Sequence, residues 1–116
     1  MKLYNTLSRA TEEFKPLQSV ATIYTCGPTV YDFAHIGNLR TFLFEDFLVR
    51  SLHFAGFETK HVMNITDIDD KTIKKSHGKL RDHEKLTSEY EQKFFEDLAK
   101  LNIVKPLIDF FDINRI

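Results

Sequence analysis

The sequence predicts an α/β domain built on one βαβ unit with flanking helices. Three observations predict it. Val20–Thr25 is a β-branched apolar run closed by Cys26-Gly27-Pro28; an amphipathic stretch spans about residues 36–55; a second strand-like run covers residues 57–66. Strand, helix and strand in that order form a crossover, which is expected to be parallel and right-handed.

The elements follow in chain order. Leu3 and Tyr4 mark a short strand, followed by a polar stretch with Glu12, Glu13 and Lys15. Val20–Thr25 reads as a buried strand, and Cys26, Gly27 and Pro28 end it, because Gly and Pro punctuate turns. In the first helix, Leu39, Phe42, Leu43, Phe47 and Leu52 share a broad face at helical spacing, and Gly56 is a suitable stop. A second helix runs from near Asp69 to about Lys75 and breaks at Gly78. A third is expected to start near Ser88, where Glu91 three residues on completes a capping box. Tyr90, Phe94, Leu98 and Leu101 line one face of it. Leu107–Phe111 is apolar but short.

Composition excludes several classes. Hydrophobic residues make up 42% of the 116-residue chain, with eleven Phe and four Tyr, while four Gly and three Pro are too few for a disordered chain. A chain of this length buries about two-thirds of its unfolded surface, enough for one modest core. Sixteen basic and seventeen acidic residues leave a net charge of −1, so no global basic field attracts nucleic acid. The only Cys, Cys26, cannot form an internal disulfide. No apolar run approaches the ~20 residues of a membrane helix, and no leader opens the chain, so no membrane association and a cytoplasmic location are expected.

The chemistry gathers where the first core strand meets its helix. A helix start offers unpaired N–H groups and a positive dipole end, which together seat phosphate. His35 and Asn38 are three apart, share a helix face and carry donors, and Gly37 lets a flat base or ribose approach the backbone. This suits ATP; the plain alternative is a surface histidine before an ordinary helix. Cys26, at the carboxyl end of the strand, is a candidate zinc ligand or nucleophile, or else a small buried hydrophobe. There is no Cys-x-x-Cys pair and no metal-ligand spacing among the histidines. Asp67, Asp69 and Asp70 crowd the end of the second strand; helix capping accounts best for Asp69 and Asp70, while Thr66 and Asp67 stay open between capping and ligand binding. Lys71, Lys74, Lys75, Lys79 and Arg81 form the basic run, and a solvated helix face is the simpler reading of it than contact with RNA.

In order and spacing, Tyr24-Thr-Cys-Gly-Pro-Thr-Val-Tyr-Asp32, His35-Ile-Gly-Asn38, Arg40-Thr41 and Asn64-Ile-Thr-Asp-Ile-Asp-Asp-Lys71 resemble the cysteinyl-tRNA synthetases. Leu3–Leu7 and Glu13–Leu17 also look like that family's opening, and the resemblance covers about residues 2–106. It implies a class I aminoacyl-tRNA synthetase with a Rossmann-type catalytic domain, of which residues 1–106 are the amino-terminal, nucleotide-binding part. It implies activation of cysteine with ATP (carried with Mg2+), release of pyrophosphate, and transfer of cysteinyl to tRNA(Cys). His35 and Asn38 match the His-Ile-Gly-His signature, Asn38 being a tolerated variant, and would steady the phosphates in the transition state. Gly27 and Thr66 match positions beside the bound cysteine. Cys26 matches the first ligand of a zinc ion that selects the substrate thiolate over a serine hydroxyl.

In the family the other zinc ligands, the Lys-Met-Ser-Lys-Ser loop and the anticodon-binding domain lie far downstream, and residues 107–116 read as a divergent tail. The chain alone is therefore expected to be a truncated, inactive piece that self-associates through uncovered surface. Two other readings stand beside the synthetase: a non-catalytic remnant serving as a nucleotide-binding module, and a related ligase joining cysteine to an amino sugar, of the mycothiol type.

Overall fold

The computed structural model describes residues 1–110. Its elements are β1 (Lys2–Asn5), β2 (Ala10–Glu13), β3 (Val20–Thr29), α1 (Ile36–Phe54), β4 (Glu58–Thr66), α2 (Asp70–Lys75), α3 (Leu80–Lys100) and β5 (Leu107–Phe110). β1 and β2 form an antiparallel hairpin, and β3, β4 and β5 form a parallel sheet in that order. The expected unit is β3–α1–β4. The α/β class and this unit are as read from the sequence, and β4–α2–α3–β5 adds a second crossover between parallel strands. A sheet that grows outward from its first core strand is one half of a doubly wound arrangement.

The hydrophobic centre lies between the sheet and two helices. Phe42 of α1, Met63 of β4, Phe94 and Leu98 of α3, and Ile103 form one buried cluster, with Ile108 of β5 packed against it. The Phe42 and Phe94 rings meet edge to face at 4.9 Å, an arrangement that adds to simple burial.

Four details differ from the sequence expectation. First, β3 runs through Cys26-Gly27-Pro28 to Thr29 instead of stopping at Thr25, with a register shift between Cys26 and Thr29. The ladder survives because the Gly27 N–H donates to the Asn64 side-chain oxygen at 3.1 Å and Pro28 has no N–H to place. Nor is β3 fully buried: Ala21 faces the core while Thr22, Tyr24 and Cys26 alternate onto an open face.

Second, α1 buries Phe42, Asp46, Val49 and Leu52, whereas Leu43 and Phe47 point outward with Ile36 and Phe54 as an exposed apolar stripe. The helix is apolar on two sides, so spacing alone could not select the inward one. Asp46 goes inward because it has partners there. One carboxylate oxygen accepts from the Val104 N–H at 3.0 Å and the other from the Arg50 guanidinium at 2.6 Å; that guanidinium also donates to the Asn102 carbonyl at 2.6 Å. This network ties the segment entering β5 to α1. The outward stripe, with the edge of β3 that has no partner among the described residues, is the kind of surface through which a chain self-associates.

Third, α3 starts at Leu80, not Ser88, so the Ser88–Glu91 pair lies inside the helix. Its N-cap, Lys79, makes no side-chain capping bond. Fourth, Ala10–Glu13 pairs with β1, although its exposed polar residues carry no alternation to announce a strand. Residues 107–110, which the sequence groups with a divergent tail, form β5 in register with Val62–Ile65 of β4. The rest of that tail, residues 111–116, lies outside the described residues.

Where α1 meets β3 and β4, burial acts on two titratable groups. It pushes the Glu45 carboxyl above its ordinary 4.5, against a smaller opposite pull from the Thr25 hydroxyl. One Glu45 carboxylate oxygen is buried without a partner. Burial also pushes the His61 ring below its ordinary 6.5, against a smaller upward pull from Asp46; His61 Nε2 lies 2.9 Å from the Thr25 hydroxyl. The signs are opposite. A raised carboxyl contributes stability that is complete below its ordinary value and lost as pH rises through the folded value, whereas a depressed imidazole contributes stability that is complete above its ordinary value and lost as pH falls through the folded one. Glu45→Gln is therefore expected to raise the melting temperature by a few degrees at about pH 7 and to give no gain at about pH 4. Thermal melts of both proteins at the two pH values check this; an equal gain at both would show that charge is not the cause.

Candidate functional site: the junction of β3 and α1

α1 begins with a reciprocal cap. The His35 ring nitrogen Nδ1 accepts from the Gly37 N–H at 3.1 Å and the Asn38 N–H at 3.3 Å, while the Asn38 side-chain oxygen accepts from the His35 N–H at 3.1 Å. This is a capping box with histidine in place of Ser or Thr. It decides the chemistry of both side chains. An Nδ1 that accepts twice carries no proton, so the neutral ring holds its proton on Nε2. An Asn38 oxygen already used leaves the amide N–H pair to offer. Both residues spend their acceptors on the helix.

The same cap corrects one expectation. The Gly37 and Asn38 backbone N–H groups are taken by His35 and are not open to phosphate. Gly37 also has a more local reason to lack a side chain: a Cβ there would sit 3.0 Å from the His35 ring, tight enough to press on the capping ring.

His35 and Asn38 line a cleft of about 270 Å³ together with the β3–α1 connection from Pro28 to Ala34, and with Lys71, Tyr90 and Phe94. Its volume is at the small end for ligand sites, room for part of a nucleotide rather than the whole. α2 closes one side. Asp69 caps α2 by accepting from the Lys71 N–H at 2.8 Å, which confirms the capping role read for it. The basic run is not simply a solvated face. Lys75 donates to the Tyr90 hydroxyl at 3.1 Å, lies 3.4 Å from the Asp32 carboxylate and sits 4.6 Å from the Tyr90 ring centroid. The Phe33 N–H, and after it Lys75, hold the Asp32 carboxyl below its ordinary range.

Gly27 and Thr66 do not line this cleft. They are joined beside it by a residue the sequence reading passed over: Asn64 accepts from the Gly27 N–H through its side-chain oxygen and donates through its amide to the Thr66 hydroxyl at 3.3 Å. Asparagine is depleted in strands, and its place within β4 was the available signal. Thr66 also accepts from the Val30 N–H through its carbonyl at 3.1 Å, which ties the end of β4 to the cleft wall. Asp67 follows with one carboxylate oxygen buried and unpartnered.

Cys26 is exposed, not a buried hydrophobe, on the open face of β3, and its thiol meets only its neighbour's carbonyl, at 3.8 Å. Among the described residues no three His, Cys, Asp or Glu side chains gather closely enough to hold a metal. One thiol does not meet the four-ligand demand of zinc, so the described residues do not form a zinc site.

Residues 13–111 match the model of the tRNA synthetases class I (C) catalytic domain. The chain belongs to this family. A Chlamydia felis protein named cysteine–tRNA ligase is 53% identical over 102 residues, which are 88% of this chain and 21% of that protein. Its namesake from Chlamydia trachomatis serovar D is 54% identical over 103 residues, 89% of this chain and 22% of the relative. That of Protochlamydia amoebophila is 50% identical over 104 residues, again 89% and 22%. The chain thus spans about a fifth of the length of these relatives. Family membership agrees with the half-sheet topology, and of the residues that carried the resemblance Pro28–Asp32, His35, Asn38 and Lys71 line the cleft. No helix among the described residues is long and apolar enough to cross a membrane.

Proposed function

We propose that this chain supplies the nucleotide-binding end of a cysteine–tRNA ligase active site: ATP binds at the α1 start so that its phosphates meet His35 and Asn38, in the activation of cysteine to cysteinyl-adenylate that precedes transfer to tRNA(Cys). The observation that carries the reading is the cap that uses the His35 Nδ1 and the Asn38 oxygen and so leaves the Nε2–H and the amide N–H pair of two residues lining one cleft. Donors fixed before the reaction stabilise charge as it develops on the phosphates, without covalent chemistry. Attack of the cysteine carboxylate on the α-phosphorus makes the acyl–phosphate bond and breaks the bond to pyrophosphate, and both sides of that exchange are anionic.

At the other end, Gly27 and Thr66, joined through Asn64, are the candidate contacts for the cysteine. Zinc would use the Cys26 thiol, but the described residues bring a single donor, and no step is assigned to the metal. ATP with Mg2+, cysteine and tRNA are the substrates on this reading, and the cytoplasm is the compartment.

The test is ATP titration of the purified chain followed by amide NMR, beside cysteine-dependent ATP–pyrophosphate exchange with zinc present. Shifts concentrated between Pro28 and Leu39, with exchange at background, are expected. ATP shifts scattered elsewhere, or none, overturn the placement; exchange above background shows that the cleft completes the reaction without further zinc ligands.

A further inference from the structure

We propose that Lys71 is the cation that receives the polyphosphate of a nucleotide in this cleft, a role resting on the nucleotide reading above. Among the described residues lining the cleft, Lys71 is the one with a formal positive charge. His35 and Asn38 offer neutral donors, and a polyphosphate with several negative charges needs a cation beside them. The two lysines of α2 that reach this region differ in their engagements. Lys75 is held by the Asp32 carboxylate and the Tyr90 hydroxyl, and so offsets the one carboxylate of the cleft wall that would repel phosphate. Among the described residues Lys71 has no carboxylate within 4.0 Å; its Nζ lies over the Tyr31 ring, 5.2 Å from the centroid. A ring face orients an ammonium without neutralising it, and such a contact at an exposed site is weak enough to yield to a phosphate. The short helix α2, capped at Asp69, sets Lys71 in its first turn, where the side chain joins the wall made by Tyr31.

The experiment compares ATP and adenosine binding by the full chain, by Lys71→Met, which keeps the aliphatic stem but not the charge, and by Lys71→Arg. Lys71→Met is expected to weaken ATP about tenfold, leave adenosine unchanged and flatten the salt dependence of ATP binding, while Lys71→Arg restores most of the affinity. ATP affinity unchanged in Lys71→Met overturns the proposal and leaves the nucleotide reading standing. Equal losses for ATP and adenosine also overturn it, since Lys71 would then shape the cleft and not meet phosphate. An unmodified chain that binds neither ligand overturns both.

Discussion

Asn38→Asp is expected to leave helix α1 standing while weakening ATP binding about a hundredfold. The cap uses only the side-chain oxygen of Asn38, which accepts from the His35 N–H. Aspartate keeps that oxygen, and a negative charge in the first turn favours the helix by about 0.3–1 kcal/mol. What it loses is the N–H pair, and it sets a carboxylate where phosphate is proposed to lie. A hydrogen bond to a charged group is worth about 1.5–3 kcal/mol, and each tenfold in affinity is about 1.4 kcal/mol, so lost donation plus repulsion reaches two decades. Thermal melts and ATP titration of the two proteins check the halves separately. A lower melting temperature would show that the amide N–H pair supports the fold; an ATP affinity within twofold of the original would show that phosphate does not meet Asn38. Asn38→Ala would not separate these, because it removes the cap and the donors together.

The split between oxygen and nitrogen at residue 38 also shows how far the sequence could be read. His35 and Asn38 were legible as donors at a helix start because local spacing puts them on one face. That their acceptors close a capping box, and so occupy the backbone N–H groups otherwise taken for the phosphate seat, depends on a ring orientation that spacing does not contain. The β3–α1–β4 unit was legible for the same local reason: its strands and helix announce themselves by period. Periodicity failed where two faces of an element are apolar. α1 offers Phe42, Val49 and Leu52 on one side and Leu43, Phe47 and Phe54 on the other, and the choice between them was made by Asp46 finding Arg50 and Val104, residues 4 and 58 positions away. The start of α3 failed differently. Ser88 and Glu91 have the capping pattern, yet about two turns of helix precede them, and within those turns Thr87 packs inward with its hydroxyl bonded to the carbonyls of His83 and Glu84. Lys71 was read as part of a solvated face because nothing in its own neighbourhood reveals that Tyr31, forty residues earlier, lies beneath it.

Gly27→Ala is expected to destabilise the chain by about 3 kcal/mol. A Cβ at Gly27 would fall 1.9 Å from the Asn64 carbonyl oxygen and 2.8 Å from Met63 Cγ. The methionine side chain can give way, although Met63 is only 1% exposed and has little room. The carbonyl cannot, since it belongs to the β4 backbone. Relief therefore requires β3 to lift from β4 at its irregular step, which breaks the Gly27 N–H bond to Asn64 and loosens the amide that reaches Thr66. Gly56 is the natural comparison: its φ of 85° makes alanine strained there, but nothing lies within 4 Å of the added carbon, so a cost of about 1 kcal/mol is expected. Denaturant unfolding of the two variants measures the difference, and a Gly27→Ala cost below that of Gly56→Ala would mean the sheet opens at the bulge without resistance. The size of the expected effect bears on function. A marginal domain has about 5–15 kcal/mol to lose, so loss of cysteine binding in Gly27→Ala would report a displaced strand before it reported a missing contact. Thr66→Ser is the cleaner probe of the proposed cysteine end, because it keeps the hydroxyl that Asn64 bonds and removes only a methyl group at the strand end.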